Sequence, residues 1–281
     1  MSTTTVASPA ALARRYVPLT TLAIVFVSPL LFMLVTSFKT RQESSAIPPS
    51  WIPDNPTTEA YSSILNASGT PVLQWFTNSM IAATAHAALV VATAALAAYP
   101  LARMEFRGKK VVFAMIVATL FVPPVILVIP NYLIVGELKW LDTLVAVIVP
   151  TAAGAFGVFF LRQFFLSLPQ ELEEAARIDG ATRVQTMLKI ILPLCTPGFI
   201  SAGIFAFTLA QNEFLYALIF LTSSDVRTVP VGAISELIRG DVFYWGQLMA
   251  AALLGSIPVA IIYSFFVEHY VSGLTAGAVK Q

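Results

Sequence analysis

The residues of this sequence whose type and spacing could do chemistry cluster between positions 167 and 216. Ser167 to Pro193 carries Glu171, Glu173 and Glu174, then Ala175, Ala176, Asp179 and Gly180, with Leu192 and Pro193 at its end. Ser167 with Gln170, and Thr182 with Gln185, match the capping-box spacing that starts a helix. Carboxylates in a first helical turn face the positive end of the helix dipole. Gly180 reads as a left-handed stop. Pro193 limits the second helix, because the residue before proline is pushed out of α geometry. The expectation is two short helices joined by a bend at Gly180. Leu172, Ala175, Ala176 and Ile178 give the first helix small and apolar contact surface. Such a helix suits a groove in a partner protein; an amphipathic helix lying on a bilayer surface fits the same residues.

Further along, Ser201, Thr208 and Asn212 fall on one helical stripe, with Gln211 beside it and Tyr216 a turn beyond. Glu213 stands in an otherwise apolar run. An acid at mid-membrane costs roughly 2.5–3.5 kcal/mol on insertion scales, so Glu213 should face a cavity or a partner. The stripe either lines a translocation path or hydrogen-bonds helix to helix. His86, among Thr84, Ala85, Ala87 and Ala88, has no Cys or acidic neighbour and reads as packing or an interhelical hydrogen bond. His269, beside Glu268, reads as interfacial. No metal and no cofactor are expected in this chain: it holds one cysteine, Cys195, and no H-E-x-x-H or C-x-x-C. It also lacks G-x-x-x-x-G-K-[ST], so ATP would have to be hydrolysed by a partner.

The elements that must position these residues are membrane spans. Of 281 residues, 57% are hydrophobic and 11% charged, and mean hydropathy is +0.81. Soluble domains carry about 25% charged residues, so an ordinary soluble enzyme is excluded. A net charge of +1 gives no sign of a nucleic-acid partner. A helical span needs about 20 apolar residues. Six runs qualify: Val17–Phe38, Phe76–Tyr99, Val111–Val135, Thr143–Leu166, Thr196–Leu221 and Gly246–Tyr270. They are too long and too evenly apolar for barrel strands. The first run exceeds the ~7–15 residues of a signal-peptide core and reads as an uncleaved span.

Lys39, Arg41, Lys139, Arg227 and Arg239 fall on one side, leaving eleven of the 16 Lys and Arg for the other; this asymmetry puts both termini in the cytoplasm. The resulting scheme is a cytoplasmic N-terminus over 1–16, a six-helix domain over 17–270 and a cytoplasmic tail over 271–281. Within it lie an inner loop at 167–195 and outer loops at 40–75 and 222–245. Pro48, Pro49, Pro53 and Pro56 make the first outer loop irregular. Pro123, Pro124 and Pro130 favour kinks in the third span. Trp51, Trp75, Trp140 and Trp245 fit an interfacial belt.

Glu174-Ala175-Ala176, Gly180 and Ile190-x-Leu192-Pro193 together resemble the EAA signature of ABC-importer permeases. Other stretches look like the carbohydrate branch, specifically the smaller permease subunit of maltose-type importers: Asn78-Ser79, Arg103 to Lys109, Ile129 to Leu133, Asn212 to Leu215, Thr228 to Gly232 and Gly273 to Lys280. Gln211 departs from the family, where Trp is common, and Pro100 stands where Ala is common. The resemblance implies an all-α membrane protein of type I ABC-importer permease fold, with six transmembrane helices, in a bacterial or archaeal cell membrane. It implies a second permease subunit, two ATPase subunits and an extracytoplasmic sugar-binding protein as partners. Glu171, Glu174, Ala175, Ala176, Asp179, Gly180, Leu192 and Pro193 would form the ATPase-coupling interface, with the tail approaching the ATPases and the 222–245 loop reaching the binding protein. The chain would be a non-catalytic subunit of a sugar importer. An ion-coupled secondary transporter is the alternative, opposed by the scarcity of intramembrane acids, of which Glu213 is the only clear one. An intramembrane enzyme would have to rest on His86 with Glu213.

Overall fold

Apolar runs in a bilayer must satisfy every backbone group internally, and helices do so within a single segment. Residues 9–66, 71–239 and 242–276 are described in the computed structural model of the chain. In chain order the helices are α1 (Pro9–Ser37), α2 (Arg41–Ser44), α3 (Glu59–Asn66), α4 (Val72–Arg103), α5 (Lys109–Ala118), α6 (Val128–Glu137), α7 (Val145–Ile148), α8 (Ala155–Ser167), α9 (Glu171–Ile178), α10 (Arg183–Thr186), α11 (Leu192–Leu194), α12 (Thr196–Gln211), α13 (Leu215–Phe220), α14 (Val229–Leu237) and α15 (Trp245–Ala276). A two-residue antiparallel ladder, β1 (Ile238–Arg239) with β2 (Val242–Phe243), pairs Ile238 with Phe243. The 40–75 loop is therefore less irregular than expected, since it holds α2 and α3.

The chain divides into two compact units, one within residues 1–70 and 233–254, the other within 71–232 and 255–281. In the first, Thr40 caps α2 by accepting from the Glu43 amide, Lys39 is buried and donates to the Ser50 carbonyl, and Gln247 donates to Ser63. In the second, α4 packs against α8 and α12. Small residues on α4 (Ala94, Ala98, Ala102) let Leu161 and Phe165 of α8 and Ala202 of α12 approach closely, around the buried Cys195.

Among the described residues, three helical stretches are long and apolar enough to cross a membrane: Arg14–Ser37, Val72–Arg103 and Trp245–Phe266. Two more are bent pairs, Lys109–Phe121 with Pro124–Glu137 at 93° and Arg183–Leu194 with Thr196–Gln211 at 72°. The first bend falls at Pro123 and Pro124, as their missing amide donors demand. Pro130 lies in the first turn of α6, where that donor is not needed.

Besides Val111–Val135, divided at that first bend, two further expected spans are not single helices. Thr143–Leu166 is split into α7 and α8 around Pro150 and Gly154. Thr196–Leu221 breaks at Asn212–Phe214. The tryptophan belt also needs correction. Trp51 is exposed, but Trp75 is fully buried and donates its indole N–H to the Ser224 carbonyl at 2.7 Å. Its N–H has a protein partner, so it has no need of the water interface. Residues 277–281 and the side chains of Glu268 and His269 lie outside the described residues.

Candidate functional site

The 167–195 segment folds as two helical pieces joined at Gly180, but not through both capping boxes. Ser167 is the last residue of α8, and its hydroxyl turns back to the Phe164 carbonyl at 2.7 Å. Gln170 takes the N-cap position of α9 without a side-chain bond. Glu171, Glu173 and Glu174 occupy the first turn instead and meet the dipole directly. The second box forms as expected: the Thr182 amide donates to Gln185 Oε1 at 2.9 Å, and the Gln185 amide donates to Thr182 Oγ1 at 3.3 Å.

Between them α9 ends in a Schellman motif. Gly180 has φ +81°, its amide donates to the Arg177 carbonyl, and the Ala181 amide reaches back to the Ala176 carbonyl at 2.9 Å. Pro193 does not end the second helix. Leu192 keeps α geometry (φ −60°, ψ −44°), and a π-turn over Met187–Ile191 carries the chain through the proline to a bend at Cys195. A π-turn shifts the hydrogen-bond register by one residue, which accommodates the missing donor.

One residue that sequence reasoning passed over holds this unit in place. Arg103, at the end of α4, donates through Nη2 to the Leu168 carbonyl at 2.6 Å and lies 3.4 Å from Glu173 Oε1 through Nε. The two side chains are 3% and 15% exposed. Its signal was the basic residue closing an otherwise apolar helix. Of the expected coupling residues, Ala176 is buried within the chain and Leu192 is half-buried, whereas Glu171, Glu174, Ala175, Asp179, Gly180 and Pro193 are exposed. Ala175 and Ala176 thus face different sides, as neighbours about 100° apart on a helix do. Ile178 and Val184 are apolar yet 86% and 62% exposed.

The expected polar stripe is broken up. Ser201 and Thr208 bond back to the Pro197 and Ile204 carbonyls on their own helix, and exposed Asn212 donates to the Thr208 carbonyl. Gln211 is buried, with Nε2 against Met80 Sδ at 3.9 Å and no partner for Oε1 among the described residues. After the break, Glu213 Oε1 accepts from the Tyr216 amide at 2.8 Å and so starts α13.

Glu213 and Tyr216 do meet a cavity of about 300 Å³, together with His86, Thr151 and Thr228. His86 Nδ1 lies 3.0 Å from the Ile148 carbonyl, the interhelical bond expected of it. A carbonyl only accepts, so Nδ1 is the donor in this contact. Thr228 Oγ1 is buried without a partner among the described residues. The Tyr216 hydroxyl accepts from Asn131 at 3.0 Å and donates to the Pro124 carbonyl at 3.3 Å, which ties the cavity wall to the bend before α6. Such a cavity offers several acceptors to a ligand rich in hydroxyl groups.

A third set of contacts fixes the segment from Thr222 to Val229. Asp142 Oδ1 accepts from the Thr222 and Ser223 amides at 2.8 Å each, and Oδ2 accepts from the Ser223 hydroxyl. These bonds, chiefly those from Ser223, hold the carboxyl below the ordinary aspartate value. Asn78 Nδ2 donates to the Asp225 and Arg227 carbonyls, and Ser79 Oγ accepts from the Val229 amide at 2.9 Å. Gly232 lies so close to Trp75 that a Cβ there would sit 2.2 Å from the indole.

Residues 90–275 match the family model described as binding-protein-dependent transport system inner membrane component. The chain belongs to that family. The ABC-importer resemblance read from the EAA stretch is therefore real. Relatives include a sulfoquinovosyl glycerol transport system permease protein of Agrobacterium fabrum, 37% identical over 95% of this chain and 93% of the relative. A trehalose/maltose transport system permease protein of Thermococcus litoralis is 34% identical over 92% and 93%. A diacetylchitobiose uptake system permease protein of Streptomyces coelicolor is 32% identical over 95% and 97%. Among solved structures, a bacterial ABC transporter involved in the import of the acidic polysaccharide alginate superposes with a TM-score of 0.79 at 20% identity. That match covers 95% of this chain and 100% of the other and shows that the fold is shared.

Proposed function

We propose that this permease is one of two membrane subunits of an ATP-driven sugar importer, taking its substrate from an extracytoplasmic binding protein. In that scheme it crosses a bacterial or archaeal cell membrane six times, with both termini cytoplasmic, and the bent pairs and the α7–α8 segment serve as spans. It carries no cofactor and hydrolyses nothing itself; partner ATPases do. The sugar class follows the relatives, whose names carry a glycosylated glycerol and three disaccharides. The acceptor-rich cavity around Glu213, Tyr216 and His86 suits a passing polyol, and it puts Glu213 off the lipid face, as its charge requires. Family membership weighs against an ion-coupled transporter or an intramembrane enzyme.

One observation carries the coupling role: Ile178 and Val184, either side of left-handed Gly180, expose apolar side chains on a unit that Arg103 anchors from behind. Exposed Glu174, Ala175 and Asp179 border them. An ATPase groove closing around nucleotide would move α9 and, through the α10–α12 bend, the cavity wall. Such a closure shifts the inward–outward equilibrium only through differential binding to the two states.

The test is a photo-crosslinking residue at Ile178 in the permease expressed with its transport operon. The expected adduct is a nucleotide-binding polypeptide. Adducts to lipid alone would mean that the helix pair rests on the bilayer, and the coupling assignment would fall.

A further inference from the structure

The turn from Met104 to Lys109, just past the Arg103 anchor, belongs to a stretch that resembles the family but is not used by coupling or by the cavity. It borders the largest open pocket described, about 650 Å³, whose charged lining is Glu105, Lys109, Lys110 and Arg162. Three cations against one carboxylate leave a surplus of two positive charges. Glu105 is taken up by Lys109 at 3.1 Å. Arg162 is fixed on two sides: Nε donates to the Leu101 carbonyl at 3.1 Å, and the guanidinium lies 4.0 Å from the centre of the Phe113 ring. Neither contact uses its terminal nitrogens, the pair that forks onto phosphate oxygens. Lys110 is exposed and has no ion pair among the described residues. The same point is the N-terminus of the ten-residue α5, which starts without a side-chain cap and so presents the positive end of its dipole.

We propose that this pocket holds the phosphate of an anionic phospholipid headgroup. The charges call for a phosphate; the rim calls for a lipid. Directly above the cations, Val111 and Met115 of α5 are 62% and 59% exposed, apolar surface that acyl chains cover and a free phosphate leaves bare. Basic pockets at the cytoplasmic ends of spans bind anionic headgroups by this combination. The inference rests on the proposed orientation, which places the turn at the cytoplasmic leaflet, but not on sugar transport or ATPase docking.

The test uses the complete transporter reconstituted in nanodiscs of equal parts dioleoylphosphatidylcholine and dioleoylphosphatidylglycerol, then released for native mass spectrometry. The wild type is expected to retain phosphatidylglycerol in preference to phosphatidylcholine. Lys110→Gln with Arg162→Gln is expected to retain about twenty-five-fold less, about fivefold for each headgroup cation lost. Lys110→Gln alone, at an exposed position, should give part of that loss without disturbing the fold, and Arg162→Lys should restore most of it. Lys139→Gln, exposed on another loop, should change nothing. Equal retention by the double variant and the wild type would overturn the site. Release of the lipid by excess glycerol 3-phosphate would overturn the lipid assignment in favour of a soluble phosphate. Because retention is read without transport, its failure is separate from failure of the crosslink at Ile178.

Discussion

The Thr222–Val229 segment and the α9 unit are held in opposite ways. In the first, backbone groups of Thr222, Ser223, Ser224, Asp225, Arg227 and Val229 each meet a side chain of Trp75, Asn78, Ser79 or Asp142. In the second, one arginine meets one carbonyl and one carboxylate, and apolar side chains are left in the open. A segment whose polar groups are satisfied by its own chain keeps its shape alone. A unit with one anchor and bare apolar surface is incomplete until something covers it. The first is built as a fixed platform, the second as a joint.

The largest effect that would break this contrast belongs to the platform. Gly232→Ala puts a methyl 2.2 Å from a buried indole that has no free side to move toward. Overpacking of this kind costs about 3 kcal/mol. The melting temperature of the purified permease should fall sharply, while crosslinking at Ile178 in protein that does fold should persist. A melting temperature equal to that of the wild type would show the platform to be soft.

Next comes the anchor of the joint. Arg103→Ala strands Glu173 and the Leu168 carbonyl, at an expected cost of about 2 kcal/mol, below that of a fully buried pair because Glu173 keeps some solvent. The loss should be local. Amides of residues 171–178 should lose protection from hydrogen exchange while those of 222–229 do not. Equal loss in both regions would erase the distinction.

Gly180→Val is the smaller change at the joint. A β-branched residue at φ +81° costs about 1–2 kcal/mol, with no clash added, since open space surrounds the position. The expected outcome is normal membrane insertion with uptake lost and ATPase activity no longer stimulated by substrate. Ala175→Asp, exposed and free of backbone strain, should give the same uncoupling. Wild-type uptake by both variants would move the joint elsewhere.

How much of this was legible in the sequence follows the range of each interaction. Gly180 and the Thr182–Gln185 box were readable because their partners lie within three residues. Apolar runs gave the helices, but not their breaks at Pro150–Gly154 and Asn212–Phe214, since a run of apolar residues looks the same straight or bent. Ser167 was misread because its capping signal competes with a bond back into the helix it ends. Asn78-Ser79 and Thr228–Gly232 stood out only as family resemblances. The fold shows Asn78 and Ser79 to be partners of the segment running into the second, some 150 residues away, a separation that no local pattern encodes. The partners of Arg103 and Asp142, 65 to 81 residues away, were hidden for the same reason.

The smallest effect sharpens the comparison through acid. Asp142 is held below the ordinary aspartate value of 3.8 by the Ser223 hydroxyl, then by the Ser223 and Thr222 amides. A carboxylate whose pKa is lower folded than unfolded contributes stability that is complete above the unfolded value and is lost as pH falls through the folded one. Asp142 is half-buried, so the contribution is partly screened and modest. Asp142→Asn removes the charge at every pH. The melting temperatures of wild type and variant should therefore differ at neutral pH and converge as the medium is taken below 3.8. A constant gap down to acid would mean that the Thr222–Ser223 turn is held by the shape and hydrogen bonds of the Asp142 side chain and not by its charge.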